Sequence, residues 1–170
     1  MSIPEKPSEG DSADKLARAS TPHADGGPPS QSPRYQVCAI PYRWEAGELR
    51  YLVVTSSAGD RWIFPKGVVD PGFTAEESAH VEAFEEAGAR GNLSPTPVHS
   101  YPRKKWGHDW TVLVFALECV EVADDWSESY RSRMWVTYGE AKELLGRDER
   151  QSLRAVRRQL LIQGRDGAEP

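Results

Sequence analysis

Cysteine is almost missing from this chain: Cys38 and Cys119 are the only two in 170 residues. Two thiols make no disulfide framework, and apolar neighbours in strand-like runs mark both as small buried hydrophobes in a reducing, cytoplasmic setting. Long apolar runs are missing too. The longest, "TVLVFAL", is far too short to cross a bilayer, and the opening "MSIPEKPSEGDSADK" has no apolar leader segment, so a soluble protein is expected. Of the four histidines, His23 and His99 show no metal-ligand spacing, and His80 falls on the core side of a helix. Positive charge is in deficit, with 21 Lys and Arg against 26 Asp and Glu and a net charge of -5. That balance offers no general attraction to nucleic acid or to an anionic membrane, so anions must be bound by local basic clusters or by metal.

Large apolar side chains are also scarce in residues 1–33, which are rich in Pro, Ser, Gly, Asp and Lys. Such a segment cannot bury enough surface to offset its ordering entropy and is expected to be a flexible tail. One domain is expected over 34–163, followed by a flexible C-terminus at 164–170.

The domain opens with "YQVCAIPYR" and "LRYLVVTS", β-rich runs joined by the glycine-containing "WEAGE", which reads as a hairpin. "RWIFPKG" reads as a short strand ended by Pro65. "TPVHSY" and "DWTVLVFALECVEV" read as strands flanking a basic loop, "PRKKWGH", and "SRMWVTY" as a short strand before "GEAKELLG". "RDERQSLRAVRRQLLIQG" sets Leu153, Val156, Leu160 and Leu161 on one stripe of an amphipathic helix. This order fits α+β, or an α/β/α sandwich, better than a doubly wound parallel sheet.

Against this background one segment is crowded with like charge. "TAEESAHVEAFEEAG" reads as a helix, with Thr74 and Glu77 as a capping box and Gly88 as its stop. At about 100° per residue Glu82, Glu85 and Glu86 fall within roughly a 100° arc, while Ala83, Phe84 and Ala87 gather on the opposite side. Like charges at this spacing repel by a few tenths of a kcal/mol each, and by more when partly buried. A divalent cation reverses that sign, and magnesium suits carboxylates shared with substrate phosphates. Lys66 and Gly67 precede a return through Pro71-Gly72 that brings them near this helix, where a lysine is a point charge suited to phosphate.

The stretch from Gly67 to Ala89 resembles the Nudix box, in which Gly, five residues, Glu and seven residues lead into Arg-Glu-aliphatic-any-Glu-Glu-any-Gly-aliphatic. Aligned without a gap on Gly67 and Gly88, Glu82, Glu85 and Glu86 take the three metal-binding glutamate positions, and Ala83 and Ala89 the aliphatic ones. Two positions depart: Phe73 stands for the first Glu, and Val81 for the Arg that in the family braces the glutamates. Weaker metal affinity, or a substitute brace from another basic residue, is the expected consequence. "RWIFPKG" and "DDWSESYRSRMWVTYGEAKELL" are similar to the branch that cleaves diphosphoinositol and diadenosine polyphosphates.

The resemblance implies a Nudix-type α/β/α sandwich with a mixed β-sheet and metal-dependent hydrolysis of a diphosphate linkage in one of those substrates. It assigns Glu82, Glu85, Glu86 and the Gly67 carbonyl to Mg2+ or Mn2+, with Glu85 also the candidate general base. Lys66, Arg103, Lys104, Lys105, His108, Arg131 and Arg133 are the candidate contacts to a small polyphosphate, with neither membrane nor nucleic acid as partner. A nucleoside end would need an aromatic platform, for which Trp44, Tyr101, Trp106 and Trp110 are candidates. Two alternatives stand beside this reading: a pyrophosphohydrolase acting on RNA 5' ends or nucleoside triphosphates, and a catalytically impaired ligand-binding module.

Overall fold

The computed structural model describes residues 32–166. The flexible tail expected at 1–33 lies outside them except for its last two residues, and so do residues 167–170. The strands are β1 (Tyr35–Glu45), β2 (Glu48–Thr55), β3 (Trp62–Ile63), β4 (Lys66–Val68), β5 (Ala89–Leu93), β6 (His99–Lys105), β7 (His108–Val122) and β8 (Arg133–Val136). The helices are α1 (Ala75–Ala87), α2 (Tyr138–Leu144) and α3 (Arg147–Asp166). Helix α3 runs through Gly164, where the C-terminal segment was expected to begin; one glycine in an exposed helix costs only about 1 kcal/mol and does not by itself end it.

The strands form one mixed sheet in the order β3-β2-β1-β7-β5. β1 and β7 run parallel along its centre, from Tyr35 opposite Thr111 to Tyr42 opposite Glu118. β4 pairs antiparallel with β1, β8 with β2, and β5 and β6 share the far edge of the long β7.

Period-two side-chain alternation gives this sheet two buried faces. Val37, Ala39, Leu52, Val54, Phe115 and Leu117 point to one side, where Ala79, Ala83 and Ala87 of α1 pack on them. Alanines at four-residue spacing let the helix lie close to the sheet. Phe84, expected on this docking side, is only half-buried and lies under Arg90 instead, its ring 4.1 Å from the guanidinium. Cys38, Ile40, Tyr51, Val53, Val114 and Ala116 point to the other side, beneath Leu153, Val156 and Leu160 of α3 and Ala141 of α2. The result is the α/β/α sandwich with a mixed sheet expected from the sequence. Among the described residues no helix is long and apolar enough to cross a membrane.

Two local differences from the expected strands shape the region facing α1. The chain resumes pairing after Pro65, so Lys66, Gly67 and Val68 form a strand against β1. The basic run expected as a loop is strand as far as Lys105, followed by a two-residue turn in which Trp106 and Gly107 both take positive φ, 51° and 71°. That backbone twist suits a tight hairpin.

Candidate active site

The capping box fixes where α1 starts: Thr74 Oγ1 accepts from the Glu77 N–H at 3.1 Å, and Glu77 Oε2 from the Thr74 N–H at 2.8 Å. With its alanine stripe on the sheet, the helix turns its acidic side toward β4. A Cβ built on Gly67 would run into the Glu82 carboxylate, so only glycine allows this approach. Glu86 is 6% exposed, and its Oε2 accepts from the Lys66 N–H at 3.2 Å. Two box carboxylates therefore converge on the Lys66–Gly67 backbone. Glu85 is half-buried beside them, and its main-chain carbonyl accepts from the Glu128 N–H at 3.0 Å.

Burial pushes the Glu86 carboxyl up to about 8; Arg131 opposes the shift, and the neighbouring Glu82 adds to it. Removal from water, which disfavours the charged form, is the dominant cause.

Arg131 is where the expectation fails. Expected on a polyanion, it is 7% exposed with each guanidinium nitrogen turned inward. Nη2 donates to Glu86 Oε1 at 3.0 Å, Nε to Glu128 Oε2 at 2.6 Å and Nη1 to the Thr55 carbonyl at 2.8 Å. Burial works against its charge, but Glu86 and Glu128 outweigh it and hold the group more firmly protonated. Arg133 is likewise withdrawn: Nη1 donates to the Ala87 carbonyl at 2.7 Å, and the guanidinium lies 3.7 Å over the Trp126 ring. A carbonyl at a helix C-terminus carries partial negative charge and attracts a cation.

The β6 hairpin sorts the basic residues. Tyr101 is buried, Arg103 and Lys105 are half-buried, and Ser100, Pro102 and Lys104 are exposed, as strand alternation requires. Burial lowers the Lys105 ammonium, Arg103 and Lys66 lower it further, and Glu82 and Glu86 oppose the shift. Lys105 is thus within electrostatic reach of Lys66, Arg103 and the two carboxylates. Lys104 points away to Asp109, 2.7 Å distant and equally exposed, and His108 sits exposed at the hairpin end.

Lys66 Nζ pairs with Glu149 Oε1 at 3.3 Å, tying β4 to the start of α3. Sequence reasoning missed Glu149, Glu128 and Trp126; partners as far as 83 positions apart leave no local signal. Of the aromatic candidates, Tyr101 lies in the core and Trp44 is exposed on the β1–β2 hairpin. Trp106, 66% exposed, packs edge-on against Trp110 with Lys105 Nζ 4.0 Å from its ring.

Among the described residues no three His, Cys, Asp or Glu side chains form a ready metal cage. Magnesium does not require one, being held by one or two carboxylates with water and substrate phosphate supplying the rest. Glu82 and Glu86, two carboxylates converging on a glycine backbone, supply the hard oxygen donors that chemistry needs.

The family model for the NUDIX domain matches residues 33–159. "Nudix hydrolase 17, mitochondrial" of Arabidopsis thaliana is 31% identical over 119 residues, covering 65% of each chain. "Diphosphoinositol polyphosphate phosphohydrolase 3-beta" of Bos taurus is 31% identical over 107 residues, covering 61% of this chain and 64% of the relative. The chain thus spans a little under two thirds of the length of these curated relatives. A crystal structure of a C. elegans Ap4A hydrolase binary complex superposes with a TM-score of 0.59 at 21% identity, over 75% of this chain and 98% of that one.

Proposed function

Because this chain belongs to the Nudix family, its domain match running from 33 to 159, we propose that it is a hydrolase cleaving a diphosphate linkage in diphosphoinositol or diadenosine polyphosphates. The observation that carries the reading is the convergence of two box carboxylates, Glu82 and Glu86, on the Lys66–Gly67 backbone, with Lys105 close enough to feel the charge of both. One side of such a site suits a divalent cation and the other a chain of phosphates.

Glu82, Glu86, Glu85 and the Gly67 carbonyl are the residues that would hold Mg2+ or Mn2+; when bound, the ion would neutralise phosphate oxygens and polarise phosphorus toward water. Lys66, Arg103 and Lys105 orient the polyphosphate. The Lys66 ammonium is held by Glu149 at the start of α3 and would have to leave that pair to reach phosphate. Glu85, not engaged by the Arg131 brace, takes a proton from the attacking water. Two free thiols support a reducing compartment; the cytoplasm is one case, and the mitochondrial names of Arabidopsis relatives suggest another.

The name of the Bos taurus relative favours diphosphoinositol polyphosphates over RNA ends or nucleoside triphosphates. One observation favours the binding-module alternative: Glu86 already has a cation, Arg131, on one oxygen. The test is turnover of purified protein with Mg2+ or Mn2+ on both polyphosphate classes, nucleoside triphosphates and 5'-triphosphate RNA, alongside Glu86→Gln. The hydrolase reading expects cleavage of the first two classes, lost by orders of magnitude in Glu86→Gln. No turnover across the panel, with ligand affinity intact in both proteins, is the signature of a binding module.

A further inference from the structure

Helix α1 ends without a basic residue in its last turn, so neither its final carbonyls nor its buried glutamate is neutralised from within. A helix leaves its last four carbonyls without helical partners. Here the segment from Ala123 to Arg133 supplies them. The Glu85 carbonyl accepts from the Glu128 N–H and the Gly88 carbonyl from the Ala123 N–H, at 3.0 and 2.9 Å. The Glu86 carbonyl accepts from Trp126 Nε1 at 3.2 Å, and the Ala87 carbonyl from Arg133 Nη1 at 2.7 Å. Four consecutive carbonyls are thus satisfied by one distant segment.

The same segment reaches the side chain. Arg131 pairs with Glu86 at 3.0 Å, with both side chains almost wholly buried. Its other two nitrogens are held by Glu128 and by the Thr55 carbonyl, so the guanidinium is fixed from the loop and from the end of β2. The second Glu86 oxygen is held by the Lys66 N–H, which leaves the carboxylate one orientation, beside Gly67.

We infer that Arg131 is the positioning residue of the acidic site, holding Glu86 where a divalent cation needs it and making metal affinity depend on the 123–133 clamp. The inference rests on the reading of Glu82 and Glu86 as a metal site. Each guanidinium nitrogen of Arg131 is already bonded within the protein, so its effect on the site passes through Glu86.

The experiment is Mn2+ binding, followed by the resonance of the free ion, to the full chain and to Arg131→Lys, Glu86→Gln and the double variant, with circular dichroism confirming that each is folded. Arg131→Lys is expected to weaken Mn2+ roughly 10- to 100-fold, the usual effect of losing a partner that orients a ligand. The double variant is expected to bind no more weakly than Glu86→Gln alone, because the two residues act as one unit. At saturating metal the KM for polyphosphate stays unchanged in Arg131→Lys while kcat falls. Additive losses, unchanged Mn2+ affinity in Arg131→Lys, or no Mn2+ binding by the wild type overturns the inference. So does a raised KM with metal affinity intact, which makes Arg131 a substrate contact. Should Arg131→Lys fail to fold, Glu128→Gln loosens the same guanidinium from its more exposed side, and Mn2+ affinity unchanged there also overturns it. Coupled losses in a protein that cleaves no polyphosphate support the role of Arg131 and overturn the hydrolase reading alone.

Discussion

Gly67 and Glu82 meet so closely that a single methyl group on the glycine would occupy the space of the carboxylate. Gly67 lies in a short strand, so it is required here for its missing side chain. Gly67→Ala is expected to fold, because the obstructing atoms are the end of a flexible side chain, at a cost within about 1–3 kcal/mol. It is also expected to push Glu82 aside and lower turnover by on the order of 100-fold, the usual scale for a displacement of about 1 Å at a reacting centre. Full turnover in a folded Gly67→Ala protein separates Glu82 from the chemistry.

Stability should depend on pH through Glu86. Its carboxyl titrates near 8 in the folded chain against an ordinary 4.5, so below 4.5 it is neutral in both states and its contribution is fully present. Between the two values the unfolded chain gives up its proton while the folded chain keeps it, and stability falls as pH rises. In chelator, the melting temperature of the wild type is therefore expected to drop relative to Glu86→Gln from about pH 5 to pH 8, and Mn2+ to restore it. Parallel curves for the two proteins over that window contradict this.

On β6 the alternation predicts opposite outcomes for neighbours. Arg103→Met and Lys105→Met should each raise the KM for polyphosphate by roughly tenfold, about the size of one charge-assisted contact. Lys104→Met should change nothing, since Lys104 lies on the outer face with Asp109. An equal effect from all three makes the run a diffuse basic patch rather than a sorted strand.

Cys38 should be inert in the native protein. Burial pushes its thiol up to about 12, so almost no thiolate exists at neutral pH; burial also raises the half-exposed Cys119, though less. A thiol reagent at neutral pH is expected to find at most Cys119 before denaturation and both cysteines after it. Fast native labelling of Cys38 places that thiol outside the core.

What the sequence revealed depended on how local the determinant was. Helix α1 was readable end to end because Thr74, Glu77 and Gly88 lie within or beside it, and β1, β2 and β7 because each is a nearly unbroken β-rich apolar run. The hairpin after Lys105 was not readable, since its turn puts Trp106 at positive φ, a conformation that sequence rules discount for a large side chain. Arg131 was misplaced for a different reason. Its partner Glu86 lies 45 positions away, and "RSR" read alone looks like cationic residues awaiting an anion. The anion was already present, on the helix that the same sequence had marked as acidic.

A divalent cation between Glu82 and Glu86 is the central claim. Calorimetric titration of Mn2+ into the wild type and into Glu82→Gln/Glu86→Gln, with a pyrophosphate-containing compound present, tests it most directly. Saturable binding by the wild type and none by the double variant is the predicted result. Equal binding by both proteins, or none by either, contradicts it.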